Sequence, residues 1–410
     1  MTHTCRHCAA PLQHAFIDLG HQPPSNAYLS REGLAKPEVY YPLKVYVCST
    51  CWLAQLPAHA EADALFTPDY AYFSSTSKGW LAHCEAYVAT MALRFGLGPE
   101  SQVIEVASND GYLLQFVQRR GIPCVGIEPT ASTAAAARAK GITTIERFLG
   151  AESGRAIATE HGQANLVPAN NVLAHVPDIN DFVAGIAAIL EPQGVATFEF
   201  PHLLSLLEGL QFDTIYHEHY SYLSLTSAAR VLASAGLRVF DVEEVSTHGG
   251  SLRLFVCHAG AAHNETPGVA AWLAREADAG VTELAAYSRL QGEAERIKDD
   301  LLAFLIAERR AGRCVVGYGA AAKGNTLLNF AGVKSDLLPF VCDAAAAKQG
   351  RFLPGSHIPI VAPERLAASK AQTVLILAWN IAPEVVASMA NVREWGGRFA
   401  VAVPNLRTNL

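Results

Sequence analysis

The stretch Gln102–Gly121, QVIEVASNDGYLLQFVQRRG, decides the fold. An apolar run closes on Glu105, small and polar residues occupy Ala107-Ser108-Asn109-Asp110-Gly111, and an apolar pattern then resumes. That order reads strand, glycine-containing turn, helix. The pattern continues downstream. CVGIEP (124–129) is the next strand and the alanine-rich ASTAAAARAKG (131–141) the next helix. ANLVPANNVLAHVPD (164–178), FVAGIAAILEPQG (182–194) and VATFEFP (195–201) carry the strand–helix–strand alternation on, and LRVFDVEEV (237–245) and GSLRLFVCH (250–258) close it. Upstream, LAHCEAYVATMALRFGL (81–97) has helical periodicity and ends at Gly96 and Gly98. The prediction is an α/β protein with a doubly wound, Rossmann-like sheet.

A chain of 410 residues is too long for one ordinary domain. From Val269 to Arg310 it turns helical and charged, which reads as a solvated connecting helix. The α/β pattern then restarts in CVVGYGAAAKGNTLLNFAG (314–332), LLPFVCD (337–343), TVLILAWN (373–380) and RFAVAVP (398–404). The expected units are residues 1–66, 67–268, a helical connector 269–311, and a Rossmann-like domain 312–410. Half the residues are hydrophobic and 17% are charged, enough apolar material for buried cores. The formal charge of −7 offers no electrostatic case for a nucleic-acid partner. MTHTCRHC at the start has no apolar core of a signal peptide, and no apolar run is long enough to cross a bilayer. A cytoplasmic protein without a membrane partner is expected.

Of nine cysteines, Cys84, Cys124, Cys257, Cys314 and Cys342 are scattered among apolar neighbours and read as small buried hydrophobes. The other four form two C-x-x-C pairs, Cys5/Cys8 and Cys48/Cys51. Two thiolate-bearing turns can close a tetrahedral Zn²⁺ site, and four thiolates leave no open position, so the zinc would be structural. It would staple a small N-terminal zinc-binding module.

Two nucleotide-type sites are legible. In the first α/β unit, Glu105 ends one strand and Glu128 the next, with a small-residue turn between them. The turn lacks G-x-G-x-x-G, so S-adenosylmethionine suits it better than a dinucleotide. In the last unit, Gly317-Tyr-Gly319-Ala-Ala-Ala322 fits a relaxed dinucleotide fingerprint with Asp343 at the next strand end. Read alone it favours NAD, and an oxidoreductase is the rival reading. Lys323 would equally suit a nucleotide diphosphate at a helix N-terminus, and Lys348, Arg351 and His357 could flank phosphate or sugar or face water. A non-enzymatic binding scaffold is a third reading. IYHEHYSY (215–222) is dense in imidazole and phenol just beyond the FEFP strand, with no third metal ligand near His217 and His219. It reads as a proton-transfer site more than a metal site.

In order and completeness these pieces resemble the sugar-nucleotide C-methyltransferases that make branched-chain deoxysugars. The resemblance runs through the paired C-x-x-C module, EVASNDGYLL, GIEP, NNVLAHVPD, FEFPHL, FDTIYHEHYSY, HGGSLRLFV, VVGYGAAAKGNTLLNF, VCDAAAAKQGRFLPGSHIPI and LILAWN. It implies a central class I Rossmann-like methyltransferase domain that binds S-adenosylmethionine. Glu105, Ala107, Ser108, Asn109, Gly111, Tyr112, Leu113, Glu128, Pro129 and Asn171 fall in its cofactor motifs. It implies catalytic roles for Tyr216, Glu218, His219 and His175, and for a tyrosine before the methyltransferase core, Tyr70 in preference to Tyr72. The C-terminal domain would help hold the sugar nucleotide, demoting NAD; Tyr72, Gly319, Lys323, Asn325, Asp343, Lys348, Arg351, His357 and Asn380 are the candidate contacts. A monomer is implied as well. Methylating carbon needs a carbanion equivalent, so a base must face a C–H beside a ketone. His219 is the expected base, Glu218 its tuning or orienting partner, and Tyr216 and His175 donors to oxygen. The chain departs from the family where the first turn commonly has glycine and here has Ala107.

Overall fold

The computed structural model describes residues 3–59 and 73–410. Tyr70 and Tyr72 lie outside the described residues. Sixteen strands are described: β1 (His14–Gln22), β2 (Tyr41–Val47), β3 (Ala54–Gln55), β4 (Val103–Val106), β5 (Cys124–Ile127), β6 (Thr144–Ile145), β7 (Ala164–Asn170), β8 (Leu190–Pro201), β9 (Ser221–Tyr222), β10 (Leu237–Val245), β11 (Ser251–His258), β12 (Val315–Tyr318), β13 (Val341–Cys342), β14 (Ile360–Val361), β15 (Thr373–Ile376) and β16 (Arg398–Ala400).

The central sheet runs β10-β11-β8-β7-β4-β5-β6. Pairings from β6 to β8 are parallel, and β11 is antiparallel to both β8 and β10. Helices cover both faces, which is why β4, β7 and most of β8 are buried throughout rather than alternating. Strand order reverses between β4 and β7, so a crevice opens beyond the C-terminal ends of β4, β5, β7 and β8. The C-terminal sheet, β14-β13-β12-β15-β16, is wholly parallel, with its own reversal beside β12.

The third sheet was not foreseen. It runs β1-β2-β3-β9 with antiparallel pairing, and β9 is the end of the IYHEHYSY stretch. Backbone bonds from Leu56 N to Tyr220 O (3.0 Å) and from Tyr220 N to Ala174 O (2.8 Å) extend the seam. A strand of the cysteine module is therefore finished by residues of the methyltransferase unit.

The helix Arg289–Arg310 corrects the reading of a solvated connector. Leu290, Ala294, Ile297, Leu301 and Leu305 recur at helical spacing and are buried in one core with Phe16, Leu43, Leu327 and Leu375. Tyr287, just before it, meets Phe16 edge-on at 5.1 Å. Apart from Glu308, which is buried and paired with Arg313 and Arg398, the charged residues lie away from this stripe, and the amphipathic helix ties the first and last units together.

Candidate active site

A cleft of about 450 Å³ opens at the C-terminal ends of the central strands and is walled on its far side by the C-terminal unit. Ala107, Asn109, Tyr112, Glu128, Pro129 and Asn171 line it, as do His175, Tyr216, His219, Lys323, Lys348 and Asn380. The turn after β4 is shaped by left-handed residues: Ala107 at φ +57°, Asn109 at +48° and Gly111 at +75°. At Gly111 the left-handed backbone favours glycine, and a Cβ there would also stand 2.4 Å from Ile142 Cδ1, which would have to move. Glu128 accepts from the Asn109 N–H (2.9 Å), the Thr130 N–H (2.9 Å) and the Thr133 hydroxyl (3.0 Å), so its carboxylate is fixed at the wall. Asn171, at φ +53°, keeps a side-chain oxygen without a partner among the described residues. A strand-end acid and such unmet polar groups fit a ribose-bearing ligand. Ser108 and Leu113 pack inward, and Glu105 is buried with its carboxyl pushed well above the usual range by desolvation.

Tyr216 and His219 sit on the loop between the short turn Phe212–Thr214 and β9. His219 Nδ1 lies 2.9 Å from the Thr214 carbonyl, which can only accept, so Nδ1 carries the proton. Nε2 is then the acceptor, and the Tyr216 hydroxyl donates to it at 2.7 Å. Burial and the neighbouring His175 push the His219 pKa well below its ordinary value, which keeps the ring neutral. His175 donates from Nδ1 to the Glu218 carbonyl (2.7 Å) and meets His219 edge-on, ring centroids 4.6 Å apart. Burial lowers its pKa to about 4. Two neutral imidazoles and a phenol therefore converge at one point of the cleft. Glu218 does not orient His219: both ring nitrogens are already taken, and the carboxyl turns to Asn26, accepting from its backbone N–H (3.2 Å) and side-chain amide (3.1 Å). Burial raises the Glu218 pKa. His217 faces the first sheet, edge-on to Tyr41.

On the far wall, the helix Ala322–Ala331 has no side-chain N-cap and starts at the cleft, with Ala321, Ala322 and Lys323 in the lining. Lys323 donates to the His248 carbonyl (3.2 Å) and Asn380 Oδ1 (3.1 Å) and stands 4.6 Å over the Trp379 ring. Burial lowers its pKa to about 8, with Asp213 pulling the other way. The loop after β12 is already filled: Tyr28 Oη (2.6 Å) and Lys348 Nζ (2.9 Å) both donate to the Ala320 carbonyl, and Asp343 accepts from the Ala320 N–H (2.8 Å). Asp343, the acid that a dinucleotide's ribose would use, is engaged within the loop itself, its second oxygen accepting from the Ala345 N–H at 2.8 Å. Gly319, Asn325, Asp343, Arg351 and His357 do not line the cleft. Asn325 is buried inside its helix, Arg351 is exposed, and His357 pairs with Glu38 at 3.0 Å.

Comparison with known proteins gives the chain its family. Residues 5–66 match a zinc binding domain, 81–242 a methyltransferase domain and 246–404 the C-methyltransferase C-terminal domain. C-methyltransferase NovU of Streptomyces niveus is 38% identical over 403 residues, 98% of this chain and 96% of that protein. This chain belongs to the C-methyltransferase family. It is an S-adenosylmethionine-dependent methyltransferase. Among solved structures, a methyltransferase of Anabaena variabilis is 18% identical with a TM-score of 0.37, covering 50% of this chain and 99% of its own. The magnesium protoporphyrin IX methyltransferase of Synechocystis is 15% identical with a TM-score of 0.33, covering 44% and 80%.

The methyltransferase also carries the expected four-cysteine cluster. The sulfurs of Cys5, Cys8, Cys48 and Cys51 all lie within 4.8 Å of one another, with Cys5–Cys51 and Cys8–Cys48 at 3.5 Å. A tetrahedron of sulfurs bound to zinc has edges of about 3.8 Å, so the cluster fits that ion. Each pair ends in a left-handed residue, Ala9 at φ +60° and Trp52 at +63°, giving two matched knuckles.

Among the cleft residues that sequence reading missed are the polar and aromatic side chains Asn26, Trp80, Arg147 and His248. Trp80 and His248 had a weak signal in their neighbourhood of motifs. Asn26 had none, because only the chain's return through β9 brings the first module to this wall.

Proposed function

We propose that this enzyme methylates a carbon of a nucleotide-linked keto-deoxysugar, by removing a proton beside the ketone and passing the methyl group to the resulting enolate. The observation that carries this reading is a single cleft that joins three chemistries. The strand-end residues Ala107 to Glu128 form one wall, the His175–His219–Tyr216 group the middle, and the cationic helix start at Lys323 the other wall. A bound S-adenosylmethionine supplies an electrophilic methyl on sulfonium. The chain's own part is to place and deprotonate the acceptor.

The diphosphate fits the open N–H groups of the helix Ala322–Ala331 with Lys323, whose lowered pKa an arriving anion reverses. The Tyr216 hydroxyl rotor turns its hydrogen from His219 Nε2 to the ketone oxygen, which frees the lone pair to take the C–H proton. The electron pair moves onto oxygen, where the Tyr216 hydroxyl meets the developing charge. His175, whose proton is committed to the Glu218 carbonyl, is not the second donor the sequence suggested and instead packs edge-on against His219. Carbon then attacks the methyl, and the proton leaves His219 for solvent. Binding in a closed cleft aligns acceptor and donor.

His219→Ala tests the assignment. Calorimetric affinity for S-adenosylhomocysteine should stay near that of the wild type. Methyl transfer should drop by about 10²–10⁴-fold, together with solvent deuterium exchange at the carbon beside the ketone. Normal exchange in the variant would remove His219 as the base.

A further inference from the structure

We infer that His248 is a further substrate-contacting residue of this cleft, holding a hydroxyl of the sugar ring between the methyl donor and the diphosphate. The inference deepens the proposed substrate reading and rests on it. His248 lies in the turn Thr247–Gly249 that joins β10 to β11, at φ +57° and ψ +15°. Any residue with a Cβ is disfavoured there, and strain of this kind persists only where the surroundings enforce it.

The surroundings do enforce it. The Thr247 hydroxyl donates to Glu199 Oε1 (2.9 Å), and the Gly250 N–H returns to the Thr247 carbonyl (3.0 Å). Gln211 Nε2 donates to the Gly249 carbonyl (2.7 Å), and Lys323 holds the His248 carbonyl. The two glycines that follow are in contact on their open side: a Cβ on Gly249 would stand 2.5 Å from Trp379, and one on Gly250 2.6 Å from Ser205 Oγ. The turn therefore cannot slide to relax its histidine.

What this posture achieves is the placement of the ring. His248 lines the cleft, edge-on to Trp80 at 5.5 Å. Its Nδ1 has no hydrogen-bond partner among the described residues, although it is buried. A buried polar atom without a partner is uncommon and marks a place for a ligand group. Burial and Lys323 push the ring's pKa down to about 4, so it is neutral and offers one donor and one acceptor. That pairing matches a hydroxyl. The neighbouring cation, Lys323, is the better partner for phosphate, while Trp80 belongs to the helix Lys78–Phe95 on the cofactor side. His248 thus stands where the sugar must pass between them.

The strain makes the test selective. Glycine adopts the same backbone without penalty, so His248→Gly should fold with a Tm at or above the wild type's. Its affinity for S-adenosylhomocysteine should stay within about twofold, while KM for the sugar nucleotide rises about tenfold or more. His248→Asn, which tolerates this backbone and keeps a polar group, should recover part of the loss. The probes are uridine, thymidine and guanosine diphosphate 4-keto-deoxysugars, assayed by methyl transfer. KM and kcat of His248→Gly within about twofold of wild type would overturn the inference, as would loss of S-adenosylhomocysteine affinity in that variant, which would place the ring on the cofactor. If the wild-type enzyme methylates none of the probes, the substrate reading falls and this inference with it.

Discussion

Ala107 occupies a left-handed position at φ +57°, where a Cβ costs roughly 1–2 kcal/mol. Ala107→Gly should therefore raise stability by up to about 1 kcal/mol in denaturant titration, the glycine's added chain entropy taking back part of the gain. S-adenosylhomocysteine affinity should be preserved; a fall in stability would show that the methyl group packs usefully. His217 gives a pH-dependent counterpart. Burial lowers its pKa from an ordinary 6.5 to about 4, so below pH 6.5 the unfolded chain binds a proton that the folded one refuses. Its contribution to stability is complete above 6.5 and is lost as pH falls toward 4, by about 2–3 kcal/mol. His217→Phe, an apolar ring of similar shape against Tyr41, should remove that loss. The stability gap between variant and wild type should widen from pH 7 to pH 4.5 in parallel urea titrations. A gap independent of pH would contradict the assignment.

At the scale of elements, β8 and β11 set Glu199 opposite Arg253 in register. Glu199 is fully buried, and burial alone would push its pKa up. His83 at 3.0 Å and Arg253 at 2.7 Å more than offset that, bringing it to about 2. Removing one partner of a buried charge pair costs about 3–5 kcal/mol; Arg253 keeps Glu243 at 2.8 Å, so Glu199→Gln should fall at the low end, about 3 kcal/mol, read from the shift in denaturant midpoint. The Arg289–Arg310 helix is the second case. Leu301→Ala should cost about 2–5 kcal/mol, far more than a solvated connector would lose. Its apolar stripe at 290, 294, 297, 301 and 305 was legible in the sequence, yet the charges between those residues dominated the reading. Composition averages over the two faces of a helix, whereas packing uses one.

At the scale of the whole molecule, the cysteine module and the catalytic loop are one structure. β3 pairs with β9, Arg6 between two zinc-cluster cysteines donates to the Pro177 carbonyl (2.8 Å), and Glu218 holds Asn26. Stripping a structural zinc should therefore act at the active site. Chelation is expected to release about one zinc per chain, lower Tm and abolish methyl transfer, with zinc restoring both. Full activity in the metal-free protein would separate the module from the loop.

The sequence by itself determined the elements whose signals are local. The strand–turn–helix order from Val103, the strand-end acids Glu105 and Glu128 and the two C-x-x-C knuckles all follow from neighbours a few residues apart, where period and turn chemistry act. Only the tertiary structure decided which loops share the cleft. It brought Asn26, His175, His219, His248 and Lys323 onto its walls, turned Glu218 away from His219, and carried Arg351 and His357 out to the surface. Those outcomes depend on long-range pairings such as β3 with β9 and on which face of a loop finds a buried partner. No short window of sequence contains both members of such a pair.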